Sequence, residues 1–118
     1  MGGRTEYRLN DVVDAIEQIE LLMKQKTFDD IQSNRPFKAA FERFLEILSE
    51  AARYIPDELK DAEPSIPWKK IADIGNHLRH AYHRVDAEIL WRTYSDGQLA
   101  LLREAAMRML TTLKSSGD

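Results

Sequence analysis

Cysteine is absent from this 118-residue chain. Disulfides, thiol nucleophiles and thiolate metal sites are therefore excluded, and the chain is compatible with the cytoplasm, where it is expected to work. Long apolar runs are missing too. No stretch approaches the ~20 residues of a membrane span, and the N-terminal residues lack the apolar core of a signal peptide, so no membrane contact is expected. Gly2 does not read as a myristoylation site, because Glu6 stands where that signal needs Ser or Thr. A dominant charge sign is also lacking: 17 Lys and Arg face 20 Asp and Glu, a formal net charge of −3. There is no global basic field to hold nucleic acid, and any such contact must come from a local patch. Residues 68–92 offer one, with Lys69, Lys70, Arg79, Arg84 and Arg92 against Asp73, Asp86 and Glu88.

What is present reads as one globular domain spanning 1–118. Apolar residues make up 43% and charged residues 31%, an ordinary soluble balance that argues against disorder. A chain of this size buries about 65% of its unfolded surface, enough for a single core. The apolar residues recur at helical steps. Leu9, Val12, Val13, Ile16, Ile19 and Leu22 predict a helix over 6–25. Thr27 caps a short turn through Asp30 and Ile31, and Ser33 or Asn34 caps a second long helix with Pro36 in its first turn. Its stripe is Phe37, Phe41, Phe44, Leu45, Leu48 and Ala52, and Pro56 stops it. Residues 56–67 hold three of the four prolines and predict a connector with one helical turn. A third helix follows over 67–84, a fourth over 87–94 capped by Asp86, and a last one from Gln98 to Leu113. Residues 114–118 are expected to fray. With no alternating strand pattern, the fold class is all-α, an antiparallel bundle of four to five helices.

All three histidines lie in 75–85, Gly-Asn-His-Leu-Arg-His-Ala-Tyr-His-Arg-Val. On a wheel of about 100° per residue, Ile71, Ile74, Leu78 and Val85 share one face, which Ile89 would continue. His80 points away from it, with Asp73, Asn76, His77, His83 and Arg84 within about 60°. A solvated polar face is the simplest account, although such faces usually carry Lys and Glu. A metal site is a second: His80 and His83 have a usable spacing, but the arginines would repel a cation. The third is metal-free acid–base chemistry on a phosphodiester, in which imidazole moves a proton and guanidinium stabilises charge on phosphorus.

Asn76 to Tyr82, followed by Val85-Asp86 and Ile89-Leu90-Trp91, resembles the C-terminal signature of HepT-like proteins of the HEPN superfamily. That motif is written R-N-x-x-x-H-x-Y. Phe28-Asp29-Asp30 after helix one, Leu48-Ser49-Glu50-Ala51 where relatives often have Gly-Glu-Ala, and Ile66-Pro67-Trp68 before the motif helix agree with it. The resemblance covers nearly the whole chain. It implies a helical homodimer with the motif helices of two subunits lining a shared cleft. It implies a metal-independent endoribonuclease that needs no cofactor and acts as the toxin of a type VII-like toxin–antitoxin pair. The implied antitoxin is a minimal nucleotidyltransferase that silences the toxin by transferring AMP to the motif tyrosine. The catalytic histidine then maps to His80, the motif asparagine to Asn76 and the modified tyrosine to Tyr82, with His77 and His83 in supporting places.

One departure bears on the chemistry. Gly75 stands where the motif has arginine. Arg79, one turn further along the same side, or Arg84, near the His80 face, are the candidate replacements. Three readings follow: a ribonuclease with a shifted arginine, an inactive adaptor that still dimerises and binds a nucleotidyltransferase, or a binding module that never cleaved RNA. Tyr82 alone also reads as a half-buried packing aromatic, as do Trp68 and Trp91. A glycine inside a helix costs about 1 kcal/mol against alanine. A close approach of another helix would explain it, a dimer seam being one candidate.

Overall fold

Helical spacing of apolar residues puts the helix over residues 35–53 at the centre of the molecule. The computed structural model describes residues 2–80 and 87–116. Its elements are α1 (Gly2–Met23), α2 (Phe28–Ser33), α3 (Arg35–Arg53), α4 (Asp57–Asp61), α5 (Trp68–His80), α6 (Ala87–Ser95) and α7 (Gln98–Ser116). Helix α3 packs on α1 along one side and on α5 along another, while α7 lies against α1 and α6 reaches α2 and α7. The expected all-α class is borne out, with no strand among the described residues. Five helices are nine residues or longer. The short α2 and α4 are the two turns that Thr27 and the proline-rich connector mark in the sequence.

The buried stripes follow the sequence reading closely. Leu9, Val12, Ile16 and Ile19 of α1 meet Phe41, Leu45, Leu48 and Ala52 of α3, and Leu99, Leu102, Ala105 and Ala106 of α7 close the core. Each fully buried large side chain in this set contributes about 1.5–3 kcal/mol over leaving it exposed. Two boundaries differ from expectation by more than two residues. Helix α1 starts at Gly2 rather than residue 6, and buried Thr5 shows that its first turn already packs. Helix α7 runs on to Ser116, so Lys114 belongs to its last turn, where a cation suits the helix dipole, and not to a frayed tail. Ile89 does not continue the α5 face. It lies on α6 and is 44% exposed.

Caps set the breaks between helices. The Thr27 hydroxyl accepts from the Asp30 amide at 3.4 Å while the Thr27 amide donates to Asp30 Oδ2 at 2.7 Å. That amide bond and a second from the Thr27 hydroxyl to Oδ2, at 3.1 Å, hold the Asp30 carboxyl below its usual range. Of the two cap candidates for α3, Asn34 is the one used, its side chain accepting from the Phe37 amide at 3.1 Å. Between α6 and α7 the chain turns through Gly97 at φ +76°.

The connector before α5 is tied down at both ends. Trp68 donates its indole N–H to the Glu63 carbonyl at 3.2 Å, and the Glu63 carboxylate takes two hydrogen bonds from Arg108 of α7, at 2.7 and 3.0 Å. Arg108 holds the Glu63 carboxyl below its ordinary value of 4.5. A carboxylate lowered in this way contributes stability that is complete above its unfolded value and is lost as pH falls through the folded one. In urea titrations across the acid range, the wild type is expected to lose stability with falling pH more steeply than Glu63→Gln. Equal slopes would remove Arg108 as the cause. Gly97 has open space where a side-chain methyl would stand, so only its left-handed backbone resists a side chain. Gly97→Ala is expected to cost about 1–2 kcal/mol in the same titrations.

Candidate functional site

Helix α5 carries the motif, and its placement rests on a polar contact inside an apolar seam. Ser49 of α3 is fully buried. Its hydroxyl donates to the Ile71 carbonyl at 2.7 Å, lies 3.1 Å from the Ala72 carbonyl, and accepts from the Gly75 amide at 2.9 Å. Ile71 is buried beside it, and Ile74 and Leu78 pack part-buried against the same core. The glycine is therefore on the covered side of α5, and the close approach it permits is with α3 of the same chain. A dimer seam is not needed to explain it.

The opposite side of α5 faces outward. Asp73, Asn76 and His77 are exposed, as the helical wheel requires. The backbone stays helical through His80, so Asn76 and His80 lie one turn apart on one face, with about 5–6 Å between their Cβ positions. The side chains of Arg79 and His80 lie outside the described residues. So do Tyr82, His83, Arg84, Val85 and the proposed Asp86 cap.

A groove flanks this face. His77, Asp73 and Lys70 border a cavity of about 210 Å³ whose floor is Ile74, Leu78 and Leu90. A neighbouring cavity of about 270 Å³ continues from Ile74 and Thr93 toward Leu99 and Leu101. Three cations of the basic patch suggested by residues 68–92 are described. Lys69 and Lys70 are exposed, but Arg92 is paired with Glu88 one turn away on α6. Among the described residues no group of three or more His, Asp or Glu side chains converges as a cation site would require. Nor is any helix there long and apolar enough to cross a membrane. Trp91 packs part-buried with its ring 6.0 Å from that of Tyr94, as expected of a packing residue.

Comparison with known proteins decides the family. The HepT-like ribonuclease family matches residues 12–109. The chain belongs to that family. "Probable ribonuclease HepT" of Thermococcus cleftensis is 38% identical over 88 residues, covering 75% of this chain and 80% of that protein. A provisionally named RNase of Methanocaldococcus jannaschii is 30% identical over 84 residues, covering 71% and 77%. Another, from Caldanaerobacter subterraneus, is 32% identical over 81 residues, covering 66% and 72%. No solved structure matches significantly. The matched segment takes in α5, and with it the face bearing Asn76 and His80, together with the Ser49 contact behind that face.

Sequence reasoning had no part for Ser49 beyond its place in a family segment. The available signal was a hydroxyl residue on the apolar stripe of one helix and a glycine on the apolar face of another. His77, exposed at the groove's edge, plays no part in holding the core. His77→Ala is therefore expected to change unfolding free energy by less than about 0.5 kcal/mol. A larger loss in chemical denaturation would mean that the groove closes over it.

Proposed function

We propose that this HepT-like ribonuclease is a toxin that cleaves RNA without a metal ion, acting as a homodimer in the cytoplasm. The reading rests on family membership together with an α5 whose Asn76 is exposed and whose backbone stays helical to His80, one turn further along. A ribose 2′-oxygen attacks the adjacent phosphorus, a 2′-O–P bond forms, and the P–O5′ bond breaks. One imidazole takes the 2′-hydroxyl proton and another acid returns a proton to the departing 5′-oxygen. His80 fills one of these roles. Asn76 orients His80 or the phosphate, and Arg79 or Arg84 offsets the charge that builds on phosphorus. In a homodimer the second subunit's His80 supplies the other proton carrier. The apolar floor of the groove beside His77 gives such a partner something to cover. A minimal nucleotidyltransferase antitoxin silences the pair by moving AMP onto Tyr82, the phenol oxygen displacing pyrophosphate from ATP.

A second reading draws on Gly75. The motif's arginine position is covered by α3, its amide bonded to Ser49, which favours a dimeric adaptor that binds the nucleotidyltransferase and cleaves nothing. Expression toxicity separates the two. If the enzyme reading holds, wild type arrests growth, and His80→Ala lowers RNA cleavage by about 10²–10⁴-fold and relieves the arrest, with cleavage by wild type unchanged in chelator. Purified wild type that leaves RNA intact, with toxicity indifferent to His80→Ala and Arg79→Ala, would establish the adaptor instead.

A further inference from the structure

In a regular helix the Gly75 amide bonds directly to the Ile71 carbonyl, one turn earlier. Ser49 touches both ends of that rung, at 2.9 and 2.7 Å. Its hydroxyl has one hydrogen to give, and Ile71 is the nearer of its two carbonyl partners. The contact joins residues 22 to 26 positions apart, and it sits where neither helix is exposed. Close approach of a hydroxyl to a helix backbone is easiest where the facing residue has no side chain. Gly75 supplies that opening.

Function enters through phase. Successive residues turn by about 100° around a helix. Slipping α5 on α3 by a single residue would swing Asn76 and His80 away from the outward face. Apolar packing of Ile71, Ile74 and Leu78 tolerates small rotations, because dispersion is not directional. Hydrogen bonds to one amide and one carbonyl do not tolerate them. We propose that Ser49 and Gly75 form a latch that sets the rotational phase of α5 on α3, making Ser49 a positioning residue for the His80 face and closing position 75 to arginine. A guanidinium there would leave water for a seam in which the Ser49 hydroxyl is already spent on the backbone. The cation of the motif therefore cannot be restored at its usual place in this chain.

The positioning role rests on the ribonuclease reading, whereas the latch itself does not, and the test separates them. The first arm measures thermal unfolding of wild type, Ser49→Gly, Gly75→Ala and the double variant. Alanine normally stabilises a helix over glycine. Gly75→Ala is expected to lower the melting temperature beside Ser49 and to raise it beside Ser49→Gly. The same sign in both backgrounds overturns the latch, whether or not the protein cleaves RNA. The second arm follows cleavage of an oligoribonucleotide. Ser49→Ala is expected to lower kcat about tenfold or more through misplacement of His80, with KM within about twofold because substrate contacts persist. Unchanged kcat beside active wild type removes the positioning role. In a third arm, Gly75→Arg is expected to melt earlier than wild type and to regain part of the loss when combined with Ser49→Gly. Gly75→Arg that melts like wild type and cleaves RNA faster would show that position 75 is open, and would end the proposal.

Discussion

A single buried hydroxyl organises the functional end of this molecule. Most of the core is apolar and non-directional. It fixes that α3 lies between α1 and α5 but constrains rotation of α5 only loosely. Ser49 adds direction. Burying its oxygen without partners would cost about 1–3 kcal/mol, so once the seam closes it must find them, and it finds them on the backbone of α5. The low dielectric that would penalise an orphaned hydroxyl also strengthens the bonds it makes. A polar group in an apolar seam thus selects one arrangement among several that would bury similar area.

The start of α5 is held by a different device. Trp68 lies part-buried at the first residue of the helix, its N–H on the Glu63 carbonyl, and Glu63 is clamped in turn by Arg108 of α7. Two anchors on different neighbours, one at the first turn and one at the second, define both the axis and the phase of a 13-residue helix. The His80 face needs both, since an axis without phase would leave the direction of the motif side chains undetermined.

Much of this architecture was legible in the sequence because its signals are local. Thr27 with Asp30, Asn34 with Pro36, and the stripes of α1, α3 and α7 each announce themselves within a few residues. The extra turn at the start of the chain was not legible, because Arg4 and Thr5 carry no apolar stripe and Thr5 is buried only by the fold. The outward turn of Asn76 and His77 was readable from periodicity alone, and family motifs then assigned their roles. What periodicity could not supply was the neighbour of Gly75. A glycine on an apolar face says that something comes close without saying what, and Ser49 lies 26 positions away. The same limit misplaced Ile89, whose spacing fits the α5 wheel although α6 is a separate helix.

The consequence for catalysis follows from where the glycine is. Charge building on phosphorus needs a cation within reach of the oxygen that bears it. In the family motif that cation stands directly before the asparagine, but here that position is committed to the seam with α3. A seam this close and a guanidinium at the same residue are incompatible, since one needs an absent side chain and the other a long one with water at its end. Selecting the latch therefore means that any stabilising cation comes from further along the chain or from a second subunit. In a HepT-like ribonuclease built in this way the charge partner is chosen separately from the residue that sets the phase of α5, so that proton transfer and charge stabilisation respond to different substitutions.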